Sequence, residues 1–281
     1  MRIARALAVL AALSVTSASR ADPVQAQRIL SIGGSVTEIV AALGQADRLV
    51  GRDTTASYPP EVAALPDVGY MRALSPEGVL SVAPDLIVSA EGAGPPEALE
   101  VLENAGIPFV IVPDGYDRAA LRIKIETVGA ALGVPSDGTA LADRTLARLD
   151  AALADIHGET RRVMFVLSTQ GGRIMASGTG TAADGIIRLA GAENAVTDFD
   201  GYKPLTDEAV ALADPDVVLM MDRGGDHGSN AADLFTMPAL ATTRAAERQA
   251  LVKMDGLLLL GFGPRTPEAV ERLAAALAEA G

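Results

Sequence analysis

The chain has 281 residues, 49% of them hydrophobic and 21% charged, with a net charge of −13, no cysteine and no tryptophan. Enough apolar residue is present to bury sizeable cores, so intrinsic disorder is excluded, and the acidity argues against nucleic acid or an anionic membrane surface as a partner. Without cysteine there is no disulfide scaffold, no thiolate metal site and no catalytic thiol.

Residues 1–21 read as a secretory signal. Arg2 and Arg5 precede an apolar run from Ala6 to Val15, and Ser19-Arg20-Ala21 puts cleavage before Asp22, with Val24-Gln25-Ala26 as a second option. The run is too short for a bilayer span. Export without a lipid-attachment cysteine points to a freely diffusing protein of the periplasm rather than a lipoprotein.

Residues 28–116 then read as an α/β lobe. Arg28 to Ile32 is a strand running into Gly33-Gly34-Ser35; Thr37-Glu38 starts a helix to Leu43; Leu49 to Asp53 is a second strand, and Tyr58-Pro59-Pro60 begins a loop. The stretch Asp67 to Val88, DVGYMRALSPEGVLSVAPDLIV, follows and recurs as Asp198 to Leu219, DFDGYKPLTDEAVALADPDVVL. The offset is 208 − 77 = 131 positions from Glu77 to Glu208, and Pro84 to Pro215 gives the same value. A repeat so long argues for a duplicated lobe. A helix near Glu97 to Ala105 and the strand Phe109 to Val112 complete this half.

Residues 117–158 carry two linking helices. Leu121, Ile125, Val128 and Leu132 share one face of the first; Ala142, Leu146, Leu149, Leu153 and Ile156 line the second, which would run about 30 Å as a spine between lobes. Residues 159–281 read as the second lobe: strands Val163 to Leu167 and Arg173 to Ala176, a helical echo of the first unit at Gly180-Thr181 to Leu189, the second repeat, a Gly-rich loop from Asp222 to Gly228, a strand at Leu251-Val252, and the helix Pro267 to Ala280. The fold expected is α/β, with two Rossmann-like lobes of mainly parallel sheet joined by a long rigid helix. No GxGxxG or GxxxxGK[ST] accompanies Gly33-Gly34, which argues against nucleotide binding.

Few residues stand out as chemistry. Glu77 and Glu208 each follow a capping Ser75 or Thr206 in the first turn of a helix, where an acid is worth about 0.3–1 kcal/mol against the helix dipole. Their repetition, while the neighbours change from Pro76 to Asp207, also fits a pair of acids gripping a two-fold symmetric partner that carries arginines. Tyr70 lies in a loop with Arg72 two residues on. It reads either as a packed and solvated loop tyrosine or as a phenolate ligand, since ferric haem accepts a tyrosinate and a nearby guanidinium favours the charged phenolate. Tyr202 faces the same choice in a different context, with Lys203-Pro204 beside it. His157 is placed at the end of the long helix, answering its dipole. Arg223 could meet an anionic ligand in the cleft, and His227 is either a ligand or a loop residue. Two distant histidines make a dedicated zinc or manganese site a poor fit, and no GxSxG elbow exists. A periplasmic enzyme built on Asp222, Asp226 and His227 has no nucleophile–base spacing behind it.

The segment DVGYMRALSPEGVLSVAPDLIV, the region SGTGTAADGIIRLAGAENA from Ser177 to Ala195, and GYKPL together resemble haem-binding periplasmic proteins of bacterial ABC haem-uptake systems. These belong to the class III periplasmic binding proteins, which also carry siderophores and cobalamin. The resemblance covers the chain from Arg28 onward. It implies a non-enzymatic, monomeric carrier holding haem in an interlobe cleft and delivering it to an inner-membrane ABC permease dimer. By the same resemblance Tyr70 falls on the axial tyrosine, Arg72 on the arginine that hydrogen-bonds it, and Glu77 and Glu208 on the acids that meet permease arginines. Some members add a histidine just after the first strand of the second lobe. This chain has Ser168-Thr169-Gln170-Gly171-Gly172 there, so Tyr70 is expected to be the only protein ligand. A ferric siderophore or cobalamin carrier of the same fold is the alternative.

Overall fold

The computed structural model describes residues 25–222 and 230–280. The signal reading over residues 1–21, and Arg223, Asp226 and His227, lie outside the described residues.

The first sheet is fully parallel, in the order β2-β1-β3-β4, from β1 (Ile29–Ile32), β2 (Leu49–Arg52), β3 (Leu86–Ala90) and β4 (Phe109–Val112). Its helices are α1 (Gly34–Ala42), α2 (Pro76–Ser81) and α3 (Pro96–Asn104). Alternation along the strands sorts side chains between two faces. Ile29 and Val88 enter the core toward α1, whereas Leu30, Ile32 and Ile87 meet Val79 and Leu102 of α2 and α3.

Helices α4 (Arg118–Ala131) and α5 (Pro135–Ala154) form an antiparallel hairpin. Gly129 faces Gly138 so closely that a Cβ on Gly129 would lie 2.7 Å from the Gly138 Cα. Any larger residue would push the two helices apart. Leu121, Ile125, Val128 and Leu132 are buried, as are Ala142, Leu146 and Leu149. Because α4 packs on α1 and β4 while α5 packs on the C-terminal helix, the connection is a braced pair rather than a lone spine.

The second sheet is mixed. It comprises β5 (Arg162–Ser168), β6 (Ile174–Ser177), β7 (Glu193–Asn194), β8 (Tyr202–Leu205), β9 (Val217–Asp222) and β10 (Leu251–Asp255), ordered β10-β9-β5-β6-β8 with β7 paired to β5. Strands β10, β9, β5 and β7 pair in parallel, but β6 is antiparallel to both β5 and β8. Mainly parallel pairing therefore holds for one part of this sheet and not for the other. The reason is the short link from Thr169 to Arg173, which suffices for a hairpin and not for a crossover helix. Around this sheet lie α6 (Ala182–Leu189), α7 (Asp207–Ala213), α8 (Ala231–Leu234), α9 (Arg244–Arg248), α10 (Gly256–Leu260) and α11 (Thr266–Glu279). One apolar core runs unbroken from β1 and β3 through α4 and α5 to Phe165, Leu219 and α11.

The repeat is structural as well as sequential. Ser75 Oγ accepts from Gly78 N at 3.0 Å to cap α2, and Thr206 Oγ1 accepts from Ala209 N at 3.2 Å to cap α7. Each helix is followed by a left-handed non-glycine residue, Ala83 (φ 45°) and Asp214 (φ 36°). The Pro-Asp pairs then fasten the next strand. Asp85 accepts from the backbone N–H groups of Gln27 and Arg28 at 2.8 Å, and Asp216 from that of Arg162 at 2.9 Å. Arg28 in turn donates to the Val82 and Ala83 carbonyls just past α2, and Arg162 to the Ala213 carbonyl that ends α7.

Candidate functional site

Parallel strands of α/β proteins present their loops at the carboxyl ends, where ligands gather. Here the loop after β2 is organised by Asp53, which is fully buried. Its carboxylate accepts from Gly33 N at 2.9 Å, Thr55 N at 3.0 Å and Thr55 Oγ1 at 2.9 Å, and Thr55 Oγ1 accepts from Gly34 N at 2.8 Å. The loops following β1 and β2 thus share one hub. Thr54 N donates to the Gly69 carbonyl at 3.0 Å, which carries that order into the segment holding Tyr70.

That segment is pinned at both ends. Asp67 accepts from Arg52 Nη1 at 3.0 Å, Thr54 Oγ1 at 3.2 Å and Gly69 N at 2.9 Å, while Val68 and Leu74 are buried on either side. Gly69 has φ 102°, a conformation a side chain resists, and it turns the chain outward. A turn closed by Ala73 N donating to Tyr70 O at 2.8 Å follows, and the Met71 carbonyl accepts from Gly94 N at 2.9 Å. The result is a braced loop that displays its side chains. Tyr70 is 47% exposed, and its hydroxyl makes no hydrogen bond with another described residue. Arg72 is exposed beside it.

The duplicated tyrosine differs. Tyr202 sits in β8, half-buried, with its ring edge-on to Phe165 at 6.3 Å. Burial pushes its phenol up, against the Thr181 hydroxyl, the Ala183 backbone and the charge of Arg72, which favour the ionised form. Tyr116, in the loop after β4, is also pushed up, by burial first and then by Asp114, whose carboxylate accepts its hydroxyl proton at 2.9 Å; Arg72 again opposes the shift. The charge of Arg72 thus favours the ionised form of both phenols, one in the loop after β4 and one in β8. These three tyrosines are not equivalent, because of them only Tyr70 is both half-exposed and free of a hydroxyl partner among the described residues; the fourth, Tyr58, has its ring face covered by the Arg265 guanidinium.

Glu77 and Glu208 occupy the second helical position of α2 and α7, both exposed. The Glu208 carboxyl is held below its usual range by its own backbone N–H and the Thr206 hydroxyl. His157 departs from expectation in its placement: α5 ends at Ala154 with Asp155 as its cap, so the histidine lies beyond the last turn. Among the described residues no group of three or more His, Asp or Glu could hold a metal ion, and no helix is long and apolar enough to cross a membrane.

In the sequence Glu38 stands out only as part of a helix start, yet in the structure it is buried and bound to Arg265. The echo in the second half gave a signal, since Asp184 at the matching place in α6 is also a buried acid, paired with Arg188 at 2.7 Å.

The profile of the periplasmic binding protein family matches residues 29–256. The chain belongs to the periplasmic binding protein family. This binding protein superposes with a TM-score of 0.85 on the periplasmic heme-binding protein BhuT in complex with two hemes, at 42% identity over 90% of this chain and 98% of that one. It is 28% identical over 257 residues to an uncharacterized ABC transporter substrate-binding lipoprotein, YvrC, of Bacillus subtilis (strain 168), covering 88% of this chain and 79% of the relative. A vitamin B12-binding protein of Pectobacterium carotovorum subsp. carotovorum (strain PC1) is 27% identical over 244 residues, 85% of each chain. The lobed α/β architecture is that of class III periplasmic binding proteins.

Proposed function

We propose that this binding protein carries haem between its two sheets, with the Tyr70 phenolate as the sole protein ligand to ferric iron. The observation that carries the reading is Tyr70 itself: half-exposed, unpartnered among the described residues, and displayed on a loop braced by Asp53 and Asp67. Ferric haem supplies a Lewis-acidic iron with an open axial position. The chain's part is to present the phenolic oxygen, to release its proton to solvent, and to keep the Arg72 charge beside the resulting anion. Tyr116 and Tyr202, whose phenols burial holds protonated, serve as polar wall rather than as rival ligands. The 42% identity with a heme-binding protein supports haem over cobalamin, to whose carrier the identity is 27%. Arg223 would meet an anionic edge of the cargo.

In this reading residues 28–116 and 159–281 act as lobes about the linking helices of 117–158. The signal peptide is removed before Asp22 or after Ala26, leaving a freely diffusing monomer without a lipid anchor. Glu77 and Glu208, one on each lobe, dock on arginines of an inner-membrane ABC permease dimer. Delivery without chemistry on the cargo makes the protein a carrier and not an enzyme. The test is competition. Purified protein is offered hemin, cobalamin and ferric siderophores singly and in pairs, read by thermal shift and visible absorption. Stabilisation by hemin that the other ligands cannot displace supports the proposal; preference for cobalamin or a siderophore overturns it.

A further inference from the structure

The end of β10 does more than close the second sheet. From Gly256 to Thr266 the chain turns back on the first lobe. Leu257 of α10 packs so close to Gly34, at the start of α1, that a Cβ there would lie 2.6 Å from its Cδ1. The Gly261 carbonyl accepts from the buried Lys124 Nζ of α4 at 3.4 Å, and Phe262 meets the Tyr116 ring edge-on at 5.3 Å. At the centre is Arg265. Its Nε and Nη2 donate to Glu38 Oε2 at 3.0 and 2.9 Å, and its backbone N–H donates to Oε1 at 3.1 Å. The guanidinium also lies 3.6 Å from the centroid of the Tyr58 ring. Glu38 is 4% exposed, so this ion pair is shielded from solvent.

Glu38 belongs to α1, and Tyr58 ends the loop that Asp53 organises. Thr54 of that loop holds Gly69, directly before Tyr70. A continuous set of contacts therefore links one arginine of the second lobe to the loop of the first that displays the phenol. A fork of fixed donors on a carboxylate, stacked on a ring, defines direction as well as distance.

We propose that Arg265 is a positioning residue that clasps the two lobes through Glu38 and Tyr58 and so sets the separation of the cleft walls about Tyr70. Its effect on cargo rests on the carrier reading above; its effect on lobe separation does not. Gly263 leaves room for the pairing, since a Cβ there would sit 3.2 Å from Glu38 Oε1 and press on the carboxylate.

The absence of cysteine allows spin labels to be attached at two introduced positions only. Glu100→Cys on α3 and Glu247→Cys on α9, both exposed, report the distance between the lobes in ligand-free protein by pulsed electron resonance. A narrow distribution is expected with Arg265 intact, a shifted and broadened one in Arg265→Ala, and an intermediate one in Arg265→Lys, which keeps the charge and loses the fork. Glu38→Gln, which keeps the shape of the side chain, should reproduce the broadening if Arg265→Ala fails to fold. Arg272→Ala, which removes only the exposed pair with Glu268 on α11, should leave the distribution narrow. If the competent arrangement falls to a tenth of the population, hemin affinity falls about tenfold while the position of the tyrosinate band is unchanged. An unchanged distance distribution in both Arg265→Ala and Glu38→Gln overturns the clasp. Broadened distributions in the variants, together with a parent protein that fails to bind hemin, keep the clasp and overturn the carrier reading instead.

Discussion

The Asp53 hub makes the sharpest energetic prediction. Asp53→Ala removes the acceptor of two backbone N–H groups, one on buried Gly33 and one on partly buried Thr55, together with a hydroxyl contact. The hydroxyl can turn elsewhere; the two amides cannot. Leaving a buried donor without a partner costs about 1–3 kcal/mol, and the partly wet one less, so the loss should total about 2–4 kcal/mol. That is a large fraction of the roughly 5–15 kcal/mol typical of a folded protein. Asp53→Asn keeps one acceptor oxygen but turns an amide toward a donor, and should fall between. Urea unfolding of ligand-free protein followed by circular dichroism reads these losses as a lower midpoint at unchanged slope. Asp47→Ala, on an exposed turn, serves as the neutral reference. A loss below about 0.5 kcal/mol in Asp53→Ala, within the range of ordinary surface changes, would refute the hub.

Three further outcomes follow from the same structure. Glu77→Lys with Glu208→Lys should abolish ABC-dependent uptake while hemin binding survives; unimpaired uptake would leave both acids with only a helix-dipole role. The Asp214 carboxyl is held below its ordinary 3.8 chiefly by the Arg244 backbone N–H, with the guanidinium adding to it. Its stabilisation is therefore present above that value and lost as pH falls through the folded one. Asp214→Asn, which tolerates the left-handed backbone, should be less stable than the parent at about pH 7, and the gap should narrow steadily as pH falls below the ordinary carboxylate range; a gap that widens with acid would reverse the sign. Finally, Arg72→Ala should weaken hemin binding without altering urea stability, because the side chain is exposed and makes no hydrogen bond or ion pair among the described residues. A matching loss of stability would make its role structural.

What could be read in the sequence was local. The caps at Ser75 and Thr206, the Pro-Asp strand starts and the faces of α4 and α5 depend on residues a few positions apart, so pattern alone exposes them. The duplication helped, because one copy of each feature corroborates the other. The antiparallel β6 was missed although the short link from Thr169 to Arg173 carried the signal. The clasp was out of reach, since Glu38 and Arg265 are 227 positions apart and nothing near either announces a partner. The difference between Tyr70 and Tyr202 was equally hidden. The two occupy matching places in the repeat, yet one falls in a pinned loop and the other in β8, and burial distinguishes them where sequence could not.

The central claim concerns one oxygen atom, and one spectrum tests it. Hemin bound to the parent protein should give the visible and electron-resonance signature of high-spin ferric iron with a phenolate ligand. Tyr70→Phe, which removes only that oxygen, should lose the signature and bind hemin weakly, while Tyr202→Phe keeps both. A phenolate signature that persists in Tyr70→Phe would contradict the account.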